Sequence, residues 1–100
     1  MKFLIYAHFP TEAGNTMVKD PKFAQNLENY LNTLKPEAAY FTEYGGERTI
    51  VMAVNMPNDN MMPTIAEPLF QLGARVEFKP TMVLADLKEG IRKAIEALPK

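Results

Sequence analysis

Residues 38–56 read AAYFTEYGGERTIVMAVNM. Two strand-like runs, Ala38–Tyr44 and Thr49–Met56, flank Gly45-Gly46-Glu47-Arg48. A Gly-Gly pair supplies the positive backbone dihedrals that a tight turn between paired strands requires, so this stretch predicts an antiparallel hairpin. Everything else is ordered around it.

Upstream, Lys2–Phe9 (KFLIYAHF) is rich in aromatic and branched residues and apolar on both alternate faces. That pattern predicts a strand covered on its two sides. Pro10 closes it, and the polar stretch through Asn15, with Gly14 and no periodicity, predicts a loop. Asp20-Pro21 pairs an N-cap acceptor with a proline suited to a first helical position. Phe23, Leu27, Tyr30, Leu31 and Leu34 then form one helical stripe that ends before Pro36.

Downstream of the hairpin, Asn58-Asp59-Asn60 offers capping acceptors, and Met61, Met62, Ile65, Leu69 and Leu72 follow at helical spacing. Pro68 predicts a kink or split near Glu67 and a turn to Gly73. Arg75–Leu84 (RVEFKPTMVL) alternates as a last strand, with Pro80 tolerable only at a sheet edge or a break. Asp86 and Glu89 make a capping-box-like pair ahead of Leu87, Ile91, Ala94, Ile95 and Leu98, which predicts a C-terminal helix over about 86–98. The order is α+β: a ferredoxin-like βαββαβ arrangement with an antiparallel sheet and an added C-terminal helix, read as one domain over residues 1–100.

Composition narrows the function. The 100 residues are 47% hydrophobic and 23% charged, enough apolar surface for a core. Eleven basic against twelve acidic residues give a net charge of −1, with no broad positive field for a phosphate backbone, so nucleic acid is not an expected partner. Thr49–Met56 also lacks the exposed aromatic and basic residues that an RNA-binding sheet presents. No cysteine is present, which removes disulfides, thiolate nucleophiles and thiolate metal sites. One histidine cannot build a usual zinc centre, the carboxylates lack EF-hand spacing, and Gly45-Gly46 lacks the phosphate-loop pattern. No cofactor is expected. No run approaches the roughly 20 apolar residues of a membrane span, and the opening residues read as a strand rather than a signal peptide, so a cytoplasmic protein without a membrane partner is expected.

The second face of the predicted sheet decides how the chain is used. Phe3, Ile5 and Ala7 alternate with Leu4, Tyr6 and His8, and Ile50, Met52, Val54 and Met56 alternate with Thr49, Val51, Ala53 and Asn55. Helices cover one face, and the other holds apolar residues too. A patch of that kind is more than a monomer ordinarily leaves in water, so pairing of two copies through the sheet face is expected.

At this point the chain resembles the dimeric α+β barrel superfamily, in which two ferredoxin-like protomers face their sheets across a shared barrel. The resemblance spans nearly all of Met1–Leu84. It rests on Lys2-Phe3 at the start, Gly45-Gly46 at the hairpin, Glu67-Pro68-Leu69-Phe70 in the second helix and Phe78–Val83 (FKPTMV) in the last strand. Within that superfamily the likeness is nearest to a family of short uncharacterised proteins. It implies the fold and a homodimer, and it implies a pocket in each half. Activity it does not imply, because superfamily members include oxygenases, isomerases, dehydratases and proteins with no assigned reaction. Haem ligation by His8 has an analogy among relatives, but one imidazole does not support it. The tail helix departs from the shortest members and would pack over the barrel end or reach the partner subunit.

His8, the only histidine, falls on the side of Leu4 and Tyr6 that such a barrel encloses. An imidazole is an acid or base near neutral pH, although a strand-end histidine also serves simply by bonding a neighbour. Glu77 and Lys79 share one side of the last strand, either as a polar cluster beside His8 or as a solvated ion pair. Tyr40 and Thr42 share the parity of Tyr44 on the second strand, where phenols would line a pocket or sit half-buried at its rim. Arg48 beside the turn is either a carboxylate clamp or a solvated charge. The seven methionines suit an adaptable pocket and equally suit core filling.

Three readings follow. In the first, a homodimeric barrel binds a small, largely apolar molecule among Tyr6, His8, Tyr40, Thr42, Glu77 and Lys79. In the second, the protein is a cofactor-independent oxygenase or isomerase with His8 as acid or base, oriented by Glu77 or Glu43. In the third, it is a structural or regulatory module whose second sheet face and tail helix are interaction surfaces.

Overall fold

The computed structural model describes residues 1–99. Four strands, β1 (Lys2–Phe9), β2 (Ala38–Tyr44), β3 (Glu47–Asn55) and β4 (Arg75–Thr81), form one antiparallel sheet in the order β2-β3-β1-β4. Four helices, α1 (Thr11–Lys19), α2 (Phe23–Leu34), α3 (Met62–Gln71) and α4 (Leu84–Ala97), complete the chain, with a 3-10 turn at Asp59–Met61 before α3. This is an α+β architecture compatible with a ferredoxin-like fold carrying an extra C-terminal helix.

The hairpin forms as its glycines require. Gly45 and Gly46 take φ of 60° and 80°, a two-residue turn whose twist matches the flanking strands, and the Gly46 N–H donates to Glu43 Oε2 at 2.9 Å. β3 begins at Glu47, two residues earlier than its hydrophobic run suggests, because the turn needs only the two glycines.

The strands split cleanly by parity. Ile5, Ala7 and Phe9 of β1 and Ile50, Met52 and Val54 of β3 are buried on the helix side, joined by Met17, Met56, Ile65, Leu69 and Ala74. Ile5 and Met52 are fully excluded from water. The stripe of α2 closes over this core only partly: Phe23, Leu27, Tyr30, Leu31 and Leu34 pack against it without being fully buried. The Tyr30 hydroxyl donates to the Ile65 carbonyl at 2.8 Å and ties α2 to α3.

Six local expectations are corrected. The stretch after Pro10 is a helix, not a loop. Pro10 sits at its N-cap with φ −54° and ψ 152°, and the Pro10 carbonyl accepts from the Gly14 N–H at 2.8 Å. Gly14 is tolerated inside α1 because the Arg48 side chain occupies the place where a Cβ would stand, its guanidinium bonded to Asn15 Oδ1 at 3.2 Å. Asp20-Pro21 does not open α2. Asp20 Oδ1 accepts the Lys22 N–H at 2.9 Å in a turn between α1 and α2, and α2 starts at Phe23.

Pro68 does not split α3, which runs through it to Gln71. One missing N–H removes a single helical bond, and Ile65, Ala66 and Leu69, buried around it, hold the helix on the sheet. β4 ends at Thr81 rather than Leu84, with Pro80 on an edge strand as its missing donor demands. The last helix is Leu84–Ala97 rather than 86–98, with Val83 at the N-cap and no side-chain cap. Glu89 does not close a capping box; its carboxylate binds Arg92.

Candidate functional site

The face of the sheet turned away from α1, α2 and α3 presents a lattice that strand pairing fixes. Register places Thr42, Thr49, His8 and Arg75 in one row, Tyr40, Val51, Tyr6 and Glu77 in the next, and Ala38, Ala53, Leu4 and Lys79 in a third. Apolar groups run across the middle, and charged groups line the β4 edge.

His8 is the polar centre of this face, and it is only 2% exposed. Its Nε2 lies 2.5 Å from Glu77 Oε1 and its Nδ1 3.3 Å from Thr49 Oγ1. A carboxylate only accepts, so Nε2 carries a proton and donates to Glu77. Thr49 Oγ1 also lies 3.1 Å from the Glu47 carbonyl. Two proton arrangements fit these distances. With the Thr49 hydroxyl donating to Glu47, Nδ1 must donate and the ring is an imidazolium. With the hydroxyl turned to Nδ1, the ring is neutral. In either case both ring nitrogens are engaged within the chain.

Glu77, by contrast, is half exposed, and its second oxygen Oε2 lies 3.3 Å from Lys79 Nζ. The hydrogen bond from His8, followed by that from Lys79, holds its carboxyl below the usual carboxylate range. Lys79 Nζ sits 5.7 Å from the centroid of the Tyr6 ring. The rings of Tyr6 and His8 stack at 6.1 Å, and Tyr44 meets His8 edge-on at 5.3 Å and Tyr6 at 6.1 Å. Arg75, the Cα partner of His8, pairs with Glu47 across the end of β1.

The arrangement presents a carboxylate and an ammonium beside two phenol rings, with a buried imidazole behind the carboxylate. Among the described residues no three His, Cys, Asp or Glu side chains converge as metal ligands.

His8, Glu77, Tyr6 and Lys79 meet in one cluster. Tyr40 and Thr42 lie on the same face but apart from it: Tyr40 is 67% exposed on the edge strand, and the Thr42 hydroxyl bonds the Glu43 carbonyl at 3.4 Å. Glu43 belongs to the opposite parity and caps the hairpin, so it does not orient His8. Arg48 also lies on the helix side and packs on α1. Thr49 is the member that sequence reasoning missed. Its signal lies in the register, because it is a buried polar residue directly opposite His8.

Most of the hollows elsewhere flank the helices. The larger of two beside α2 and α3, about 490 Å³, is lined by Tyr30, Leu34, Met61, Ile65 and Pro68 and by no residue of the His8 cluster. Compared with known proteins, the chain matches no family model, no curated sequence and no solved structure.

Proposed function

We propose that the chain pairs its open sheet face with that of a second copy, as in the dimeric α+β barrels it resembles, and binds a small, largely apolar molecule between the sheets. The His8–Glu77 pair carries this reading. A buried imidazole is spent on fixing one half-exposed carboxylate among the rings of Tyr6 and Tyr44, and a carboxylate so fixed is a polar anchor at the edge of an apolar surface. Leu4, Val51 and Ala53 supply the apolar floor. Glu77 accepts a hydrogen bond or a positive charge from the ligand, and Lys79 balances an anionic group next to it.

The test is light scattering together with a thermal-shift screen of small aromatic alcohols, amines and acids. The expected result is a species of twice 11.3 kDa, stabilised by at least one class in the wild type and by none in Glu77→Gln. A monomer at all concentrations, or stabilisation that Glu77→Gln leaves intact, contradicts it.

A half-exposed carboxylate paired with a buried imidazole also supports a second, acid–base reading. In that reading Glu77 faces the substrate as the base and His8 is its positioning residue, since both ring nitrogens are already engaged. Turnover of an activated C–H substrate that falls in Glu77→Gln, with a shifted pH profile in His8→Gln, separates it from binding alone.

A further inference from the structure

The last helix does not belong to the body of its own chain. The Cα radius of gyration is 16.8 Å, against about 13 Å for a compact chain of 100 residues, and the molecule measures 60 × 28 × 20 Å. α4 is about 21 Å long at 1.5 Å per residue, and none of its residues is buried. Leu84, Leu87, Ile91, Ile95 and Leu98 nonetheless line one side at steps of three and four, 41 to 67% exposed. The other side is finished for water: Arg92 bridges Glu89 and Glu96 at 2.6 and 2.7 Å. A lone helix of this length is marginal in water, so the stripe implies a surface that receives it.

We infer that α4 is an exchanged arm, which seats its apolar stripe on a second copy of this chain. Charge argues against a lipid surface. Lys88, Arg92 and Lys93 are offset by Asp86, Glu89 and Glu96, whereas helices that lie on anionic membranes carry a basic excess. In a single copy both the arm and the open sheet face lack a partner, and a second copy supplies one for each: its sheet for the sheet face, its body for the arm.

Area supports the exchange. Four strands about 4.8 Å apart and about seven residues long give the face a footprint of roughly 440 Å². An arm about 21 Å long and about 10 Å wide adds roughly 210 Å² where it lies, and a two-fold dimer gives every protomer two such contacts. Together they reach the roughly 800 Å² per partner of a stable interface. This inference rests on the sheet-paired dimer and extends it by naming the segment that crosses between subunits.

The chain lacks cysteine, so a single label site is available by substitution. Ala94→Cys, at the edge of the stripe, carries a benzophenone maleimide and is irradiated in the full-length protein. The expected product is a covalent dimer on denaturing gels. Leu87→Lys with Ile91→Lys, in the same chain, should raise the dimer dissociation constant at least a hundredfold in light scattering while leaving the far-ultraviolet spectrum of the sheet in place. A wild-type dimer with only intrachain crosslinks, or a double variant that dimerises as tightly as wild type, overturns the arm and leaves the sheet pairing standing. A wild-type monomer overturns both.

Discussion

His8 and Glu77 bond on the diagonal. The Cα partner of Glu77 across the β1–β4 pair is Tyr6, and that of His8 is Arg75, yet Nε2 of His8 meets Oε1 of Glu77 at 2.5 Å. The diagonal is open because Arg75 is drawn to Glu47. Neighbours two residues off register remain within reach of long side chains, and here the longer diagonal is the one that pairs a buried ring with an accessible carboxylate.

Acid should loosen this pair. Glu77 is held below its ordinary pKa by His8 and Lys79, so its unfolded pKa is the higher of the two. Its contribution is complete above the ordinary carboxylate range, about pH 4.3, and is lost as pH falls through the lower folded value. The melting-temperature difference between wild type and Glu77→Gln should therefore shrink below about pH 4. A difference that persists unchanged into strong acid would refute the linkage.

Thr49→Val should cost about 1–3 kcal/mol, because it removes the partner of a buried imidazole nitrogen and of the Glu47 carbonyl. Thr49→Ser keeps the hydroxyl and should recover most of the loss in urea titration. Equal destabilisation by both variants would assign the cost to packing of the methyl group instead.

At the hairpin, Gly46→Ala should destabilise by about 1–2 kcal/mol through φ of 80° alone, since nothing lies near enough to clash with the added methyl. Gly46→Asn should cost less. Chemical denaturation of the two variants side by side reads the difference.

Tyr30 should ionise only in strong alkali. Burial pushes its pKa up to about 12, and its hydroxyl donates to Ile65. A raised folded pKa gives stability that is complete below about pH 10 and lost as pH rises toward 12. Spectrophotometric titration should show a phenol ionising near pH 12, and that step should vanish in Tyr30→Phe.

In the core, Ile5→Val removes one methylene from a side chain with no exposure and should cost about 0.5–1.5 kcal/mol. A smaller effect in denaturant unfolding would mean that the sheet collapses around the space.

The strands were legible because period-2 alternation with large side chains has one reading, and Gly45-Gly46 fixed the register between two of them. Parity put Tyr6 and His8 on one side of β1 and Glu77 and Lys79 on one side of β4, but only the β1–β4 register brings the two pairs onto one face. Proline and glycine misled in proportion to how locally they were read. Pro10 ends β1 and also starts α1, and Gly14 is a helix residue because Arg48, 34 positions away, fills its side. Pro68 survives within α3 because burial on both sides outweighs one lost hydrogen bond. The roles within the site were beyond sequence for the same reason: which of His8 and Glu77 meets solvent depends on Thr49 and Tyr44, which arrive from other strands.

The position of β1 also constrains how the chain is made. Of the four strands of the sheet it comes first in sequence, and it lies between β3 and β4, its pairings reaching from Lys2 to Asn55 and Thr81. Until β4 has been made, β1 has at most one neighbour, and its apolar sides must wait uncovered. Folding is then governed by closure of long loops rather than by local helices, so the rate should be slow for so short a chain, and a nascent KFLIYAHF segment is where a chaperone would have most to do.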